Sequence, residues 1–259
     1  MAWRAFFLIG FLTKYHFNDT MLVQIFFEGI MEEIMILYHG SRQIVKTPEY
    51  GIGKSTNDYG QGFYCTESLE LAKEWACPVQ MNGYANKYEF DMEALSVLRL
   101  NEGDYHILNW LALLLNNRTF DIGRNKELAL RGRDFVIEHF LPDTSTCDVI
   151  MGYRADDRYF AFAKDFIEGS ISLRQLSHAM KLGKLGEQVV LISKKAFKNI
   201  HFIEYEQADS DIYYRKRMER ETCAREVFDA LRRENPDLEE DIFILDIIRG
   251  GMTIDDMRV

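Results

Sequence analysis

Short strand-like runs alternate with helical stretches over residues 35–206, and this alternation limits the fold more than any other feature of the chain. Apolar and β-favouring residues predict short strands at 34–39, 62–66, 85–90, 95–100, 147–152, 187–192 and 200–205. Apolar residues at helical spacing predict a helix that begins after the capping residue Ser68. The same spacing predicts further helices over 105–116, 126–140, 156–167 and 172–182. Short strands with helices between them predict an α+β domain.

Residues 1–34 precede this body and carry no motif. Their apolar run, 6–12, is far too short to span a bilayer. It is not followed by the small-residue cleavage site of a signal peptide. We interpret residues 1–34 as an N-terminal extension, a mis-called start with Met31 or Met35 as the natural one. We expect a protein that begins at Met35 to fold and to keep its ligand binding.

Residues 207–259 differ in character from the body. A charged helix is predicted over 215–234, and acidic, mixed sequence follows it. Charges of both signs are interspersed along this helix, which favours packing or contact with a small protein partner over contact with nucleic acid. We expect a charged helical tail after a domain that covers 35–206.

Charge and cysteine content exclude some classes of function. The formal net charge of −10 argues against a protein that binds nucleic acid by broad neutralisation of phosphates. The four cysteines are widely separated and form neither a CxxC pair nor a Cys/His cluster with zinc spacing. We therefore expect free thiols in a reducing cytoplasm, no bound metal and no membrane association.

The first predicted strand ends in a segment suited to ligand contact, Leu37-Tyr38-His39-Gly40-Ser41. The missing side chain at Gly40 lets a flat ligand approach the backbone closely. The imidazole of His39 can hydrogen-bond a hydroxyl group. Taken alone, a His-Gly pair at a strand end is more often structural than functional.

Two later segments have similar potential. Gly62 and Tyr64 lie on a short strand, and Trp75 follows Tyr64 by 11 residues, within the next helix. Aromatic rings on a strand and a facing helix can form a slot for a planar ring, although spacing alone favours two core residues. Further on, Glu187 and Gln188 open a buried strand, where a polar pair is usually just solvated.

Together the three segments resemble the ADP-ribosyltransferase superfamily, in the branch of the poly(ADP-ribose) polymerases and diphtheria toxin. The strand at 62–66 is similar to the Gly-Ile-Tyr-Phe-Ala strand of that branch, and Trp75 falls at its second stacking aromatic. More narrowly, Tyr-His-Gly-Ser at 38–41, Asp-Tyr-Gly-Gln-Gly-Phe-Tyr at 58–64 and Ala-Asp-Asp-Arg at 155–158 resemble the bacterial family DUF3990 of the same clan. The resemblance covers about 36–205 and implies a split β-sandwich with helical insertions.

The resemblance also implies NAD⁺ as the substrate and a role for each residue. His39 would bond the ribose on the adenosine side, and the Gly40 backbone would hold the nicotinamide carboxamide. Tyr64 and Trp75 would enclose the nicotinamide ring. The polar residue of the third segment, Glu187 or Gln188, would bond the nicotinamide ribose and stabilise the positive charge that develops as nicotinamide leaves. The residues implied in NAD⁺ binding are His39, Gly40, Ser41, Gly62, Tyr64 and Trp75.

Glu187 and Gln188 are alternatives for the third catalytic position, after His39 and Tyr64. Successive strand residues face opposite sides, so only one of the two can reach a shared cleft. The DUF3990 likeness favours Gln188, because the apolar run starts directly after it, and the polymerase likeness favours Glu187. If Gln188 faces the cleft, a formal negative charge is lost, and we expect slow transfer of single ADP-ribose units.

The leading hypothesis is a mono-ADP-ribosyltransferase that acts on an unknown protein or nucleic-acid acceptor, as a toxin or phage-defence effector. The alternatives are a catalytically degenerate module that binds NAD⁺ or a nucleotide, an NAD⁺ glycohydrolase, and an enzyme that removes RNA 2′-phosphates. The last should surround its cleft with basic residues, but only Arg42 and Lys46 lie near His39 in sequence. The Asp-Asp-Arg cluster at 156–158 is either a helix start or an acceptor contact beside the cleft.

Overall fold

The computed structural model describes residues 34–103, 105–119, 125–154, 159–181, 186–233 and 241–257. Its strands are β1 (Ile34–Ser41), β2 (Phe63–Cys65), β3 (Gly83–Asp91), β4 (Val97–Arg99), β5 (Val149–Tyr153), β6 (Glu187–Leu191) and β7 (Ile200–Ala208). Its helices are α1 (Leu69–Ala76), α2 (Ile107–Asn117), α3 (Lys126–Phe140), α4 (Tyr159–Ile167), α5 (Leu173–Lys181), α6 (Lys194–Lys198), α7 (Ser210–Arg233) and α8 (Ile244–Gly250), followed by a 3₁₀ turn at Asp255–Met257. The predicted α+β class is confirmed.

Most element ends lie within a few residues of the sequence predictions. Ser68 caps α1 as predicted, since its side-chain oxygen accepts a hydrogen bond from Leu71 N at 3.3 Å. The last strand runs on to Ala208, and the tail helix starts at Ser210. None of the helices in the described ranges is both long enough and apolar enough to span a membrane.

The strands form two sheets. One has the order β1-β3-β7 and is antiparallel. The other has the order β2-β6-β5-β4, in which β4 and β5 run parallel and the other pairs antiparallel. The sheets meet where Tyr38 and Thr66 exchange backbone hydrogen bonds of 2.8 and 2.9 Å. This junction sets the end of β1 directly beside β2.

Both faces of the four-stranded sheet are covered, which explains why β5 and β6 are almost continuously apolar. The apolar side chains packed between the two sheets include Leu37, Cys65, Tyr88, Phe90, Val149, Met151, Val189 and Leu191. Ile150 and Val190 face the other way and pack with the helices, in a cluster that contains Trp110 and Phe166. This alternation decides which β6 side chains can reach a site on the helical face.

The tail helix α7 packs against the rest of the chain. Phe228 stacks on Phe162 of α4 with 3.8 Å between ring centroids. Arg220 forms an ion pair with Glu74 of α1, and both side chains are largely buried. This pair explains why Glu74, a charged residue, is buried on α1. It also brings the first half of α7 close to the end of β1, where α1 lies.

Candidate functional site

A cavity of about 380 Å³ lies among β1, β2, β6, α1 and α7. Its volume is within the range of roughly 300–1,000 Å³ that small-molecule sites occupy. The residues that line it are Gly40, Thr56, Asn57, Asp58, Tyr64, Trp75, Arg118, Arg154, Gln188 and Arg217. Four of these were predicted from the sequence as site residues: Gly40, Tyr64, Trp75 and Gln188.

Gly40 allows β1 and α1 to pack closely. A Cβ atom at this position would lie 2.1 Å from the carbonyl oxygen of Ala72 and 2.8 Å from the Cβ of Trp75. Backbone atoms cannot yield by that much, so only glycine fits here. The missing side chain therefore serves helix packing, which sets Trp75 beside the end of β1.

Tyr64 lies on β2 opposite Val190 of β6, and so its side chain faces the helical side of the sheet. Its hydroxyl donates to the carbonyl oxygen of Gly60 at 2.7 Å and accepts from the backbone N–H of Tyr59 at 3.0 Å. Burial raises the pKa of this hydroxyl well above its ordinary value, so it stays protonated. These bonds fix the ring in the cavity wall and tie the preceding loop to it.

Trp75 presents an aromatic face and an unbonded donor. The Arg154 guanidinium carbon lies 4.2 Å from the centroid of its ring, in cation–π contact. The indole Nε1 is buried, and no described group accepts its hydrogen bond. Since buried polar groups in folded proteins are almost always hydrogen-bonded, this N–H marks a position suited to a ligand acceptor.

The register of β6 places Gln188 at the cavity and Glu187 away from it. Gln188 shares the face of Val190 and is 3 % exposed. Its amide nitrogen donates to Asp58 Oδ2 at 3.3 Å, and its oxygen has no partner among the described residues. Glu187 is exposed and accepts a 2.6 Å hydrogen bond from Asn101. Of the two alternatives, Gln188 is therefore the one able to contact a ligand there.

Three arginines from distant segments make the cavity basic. Arg118 follows α2, Arg154 follows β5, and Arg217 lies on α7. Asp58 is the one carboxylate among the described lining residues, and its Oδ1 lies 3.2 Å from Arg118 Nη1. Arg217 pairs with Glu221 at 2.7 Å. The sequence showed only Arg42 and Lys46 near His39, because these three arginines converge only in the fold.

His39 lines a different cavity, of about 430 Å³, with Gly62, Phe63 and the loop at 43–49. Its Nδ1 lies 2.8 Å from the carbonyl oxygen of Tyr64, which can only accept, so Nδ1 carries the proton. Burial lowers the pKa of His39 and favours the neutral ring, whose Nε2 is then a hydrogen-bond acceptor. His39 thus touches Tyr64 through the backbone while its ring belongs to the second cavity.

The structure therefore divides the predicted site residues. Gly40, Tyr64, Trp75 and Gln188 share the first cavity, and His39 and Gly62 line the second. Ser41 and Glu187 line neither of these two cavities, and the Ser41 hydroxyl accepts a 3.1 Å hydrogen bond from Gln43 N. The 156–158 cluster and residues 1–33 lie outside the described residues.

Sequence reasoning missed six lining residues: Thr56, Asn57, Asp58, Arg118, Arg154 and Arg217. Asp58 did carry a signal, because it opens the 58–64 segment that marked the second motif. The three arginines carried none, since nothing in their local sequence relates them to each other. Within the described ranges, no group of three or more His, Cys, Asp and Glu side chains could hold a metal ion.

Comparison with known proteins gives a family match. The family model described as "Protein of unknown function (DUF3990)" matches residues 35–202. Neither a curated protein nor a solved structure matches the chain. The matched range contains every lining residue of the first cavity except Arg217, which lies on α7.

Proposed function

The chain belongs to DUF3990, a family of proteins of unknown function, and we propose from its own cavities that it binds NAD⁺ and transfers ADP-ribose. The acceptor is a group on a protein or nucleic acid. Transfer of single units fits a cavity that presents Gln188 and not a glutamate. The two sheets, joined at Tyr38 and Thr66, are consistent with the split β-sandwich of the ADP-ribosyltransferases.

One observation carries the proposal: the aromatic and amide side chains implied in nicotinamide binding share a cavity with three arginines. The rings of Tyr64 and Trp75 line the cavity and can contact a planar base there. Guanidinium groups bind phosphate oxygens in bidentate geometry. NAD⁺ carries a planar cationic ring and a diphosphate a short distance apart, so one cavity meets both needs.

The second cavity supports the same ligand. Neutral His39 has Nε2 as an acceptor, which suits the hydroxyl of a ribose. Because His39 and Gly40 are consecutive on β1 and line different cavities, a dinucleotide has two adjoining places to occupy. We assign the nicotinamide half to the first cavity and the adenosine half to the second.

In the proposed reaction, the bond between ribose C1′ and the nicotinamide nitrogen breaks, and its electron pair leaves with neutral nicotinamide. The positive charge passes to the ribose ring, and an acceptor oxygen or nitrogen then bonds to C1′ and releases its proton. A hydrogen-bond acceptor beside the ribose stabilises this charge mainly in the transition state, so it raises kcat more than affinity. Gln188 Oε1, buried and without a described partner, is our candidate for that acceptor.

The neutral Gln188 side chain also favours a second candidate, a module that holds NAD⁺ without turnover. A formal negative charge at this position would attract the cationic ribose, and an amide does so less strongly. Hydrolysis is the same reaction with water as the acceptor. The three activities therefore share one binding site and differ in the fate of the bound NAD⁺.

The test is incubation of the purified protein and cell lysate with NAD⁺ that is labelled in its adenylate part. Label on macromolecules supports transfer. Free ADP-ribose without labelled macromolecules assigns a glycohydrolase, and binding without consumption assigns a binding module. Absence of NAD⁺ binding in calorimetry would contradict the proposal in all its forms.

A matched pair of variants on α7 tests the site. Arg217→Gln removes one charge from the cavity and should weaken NAD⁺ binding by about 10- to 100-fold, as expected for a lost charge-assisted hydrogen bond. Arg232→Gln removes a charge from the same helix, where the guanidinium lies 3.3 Å from Asp165, away from the cavity. It should leave the affinity unchanged, and equal weakening in both variants would point to a general charge effect.

A further inference from the structure

Asp58 occupies a central position among the polar groups of the first cavity. Asp58 is 8 % exposed, and its carboxylate lies between two cavity residues, with Oδ1 at 3.2 Å from Arg118 Nη1 and Oδ2 at 3.3 Å from Gln188 Nε2. The negative charge that the Gln188 position lacks is therefore present within hydrogen-bond distance of it.

The contact with Asp58 decides the orientation of the Gln188 amide. An ionised carboxylate can only accept hydrogen bonds, so the NH₂ group of Gln188 must face it. The amide oxygen is then the atom left without a partner among the described residues. An asparagine at position 58 could donate or accept, and the Gln188 amide could then adopt either orientation.

The loop that carries Asp58 is anchored by backbone hydrogen bonds as well as by the ion pair between Asp58 and Arg118. The backbone oxygen of Asp58 accepts a 3.2 Å hydrogen bond from Asn117 Nδ2 of α2, and the loop is further tied to Tyr64 through Gly60 and Tyr59. These bonds do not involve the carboxylate. The carboxylate therefore serves two contacts, the ion pair with Arg118 and the hydrogen bond from Gln188.

We propose that Asp58 is a positioning residue for Gln188 and the source of negative charge at the reacting ribose. This inference rests on the proposed function. Asp58 holds the amide so that Oε1 accepts a hydrogen bond from a hydroxyl of the nicotinamide ribose. The negative charge of Asp58 stabilises the positive charge that develops at C1′ as the bond to nicotinamide breaks. Asp58 and Gln188 together then do what a single glutamate does in the polymerase branch.

The inference is tested by exchanging the carboxylate and the amide group between positions 58 and 188. Asp58→Asn should lower kcat for NAD⁺ cleavage by about 10- to 1000-fold, the range for loss of a preorganised electrostatic group, and change NAD⁺ affinity by less than about 5-fold. The double variant Asp58→Asn with Gln188→Glu restores one carboxylate, which the new asparagine amide can orient. It should turn over at least about 10-fold faster than Asp58→Asn alone. A merely structural role for Asp58 would give no such recovery.

Asp241→Asn is the matched control, because it alters another buried carboxylate that pairs with an arginine, Arg174, away from the cavity. It should lower the melting temperature without lowering kcat. A folded Asp58→Asn protein that cleaves NAD⁺ at the parent rate, or a double variant no faster than Asp58→Asn, would overturn the inference.

A readout that does not depend on turnover separates this inference from the proposed function. Hydrogen exchange of the Gln188 side-chain amide, followed by NMR, should be slow in the parent protein and at least about 10-fold faster in Asp58→Asn. The exposed Gln207 serves as the reference side chain. If the parent does not consume NAD⁺, the proposed function fails, and slow exchange would still support the orienting role. Fast exchange in the parent would overturn that role.

Discussion

Gln175 and Gln188 are buried to nearly the same extent, at 5 % and 3 % exposure, but their surroundings differ. The side-chain oxygen of Gln175 accepts a 2.9 Å hydrogen bond from the backbone N–H of Ser172. The oxygen of Gln188 has no partner in the described part of the chain, and it lies at a cavity. Burial by itself therefore does not distinguish a structural polar residue from one placed for a ligand.

The carboxylates next to these glutamines repeat the contrast. Asp241 Oδ1 accepts from Ser172 Oγ at 2.8 Å and Arg174 Nε at 2.9 Å, and Oδ2 accepts from Arg174 Nη2 at 3.0 Å. Asp58 instead sits in a cavity wall where Gln188 Oε1 and Trp75 Nε1 are both left unbonded by the described residues. A polar cluster that closes on itself stabilises the fold, and one that leaves buried atoms open is suited to a ligand.

The largest effect on stability should come from removing Asp241 from its hydrogen-bonded cluster with Ser172 and Arg174. Asp241→Ala removes a carboxylate with no exposed surface and should lower the free energy of unfolding by about 2–3 kcal/mol. The loss is limited because Arg174 is half-exposed and water can solvate it. Urea denaturation measures the change. NAD⁺ affinity should stay the same, and a weaker affinity in a natively folded variant would erase the distinction between the two clusters.

Changes at the cavity should act on binding. Tyr64→Ala removes one aromatic face and should weaken NAD⁺ binding about 5- to 150-fold, or about 1–3 kcal/mol, in calorimetry. Tyr64→Phe keeps the ring and the affinity but loses the bonds to Gly60 and Tyr59, at a cost of about 1 kcal/mol in stability. If Tyr64→Ala binds like the parent while circular dichroism shows it folded, Tyr64 is a core residue and the nicotinamide slot must be abandoned.

The two glutamines give the most direct comparison. Gln175→Ala should lower the free energy of unfolding by about 1 kcal/mol, because it removes a hydrogen bond that caps α5, and leave turnover alone. Gln188→Ala loses the hydrogen bond to Asp58 but also removes a buried oxygen without a described partner, so it should change stability by no more than about 1 kcal/mol, leave NAD⁺ affinity nearly intact and lower turnover. Denaturation and NAD⁺ consumption, measured on both variants, check this. Equal stability losses with unchanged turnover would show that both glutamines are structural.

The smallest effect concerns pH at the second cavity. Burial lowers the pKa of His39, so as the pH falls below about 6.5 the unfolded chain binds a proton that the folded one does not. The contribution of His39 to stability is present above that pH and is lost as the pH falls towards its lowered pKa. His39→Asn keeps a donor for the Tyr64 carbonyl and should give a shallower fall of melting temperature between about pH 7 and pH 5.

The exposed His201 provides the control for this measurement. His201→Asn should leave the pH dependence of the melting temperature as it is in the parent. A parent slope that His39→Asn does not change would mean that the acid loss of stability arises at other groups.

Local features of the sequence determined the secondary structure and the identity of several site residues. The Ser68 cap, the helical spacing of apolar residues after it and the short β-favouring runs depend on neighbouring positions, which the sequence displays directly. Gly40, Tyr64 and Trp75 were singled out because the three motifs together resemble a known superfamily, since each motif alone favours a structural role.

Only the tertiary structure decided how these elements combine. The choice between Glu187 and Gln188 depends on which face of β6 the helices cover, and strand alternation leaves both options open until the sheets are packed. Glu74 is buried because Arg220 approaches it from a helix far along the chain. The basic character of the cavity has the same origin: Arg118, Arg154 and Arg217 follow different elements, and they converge because the packing of those elements brings distant residues together.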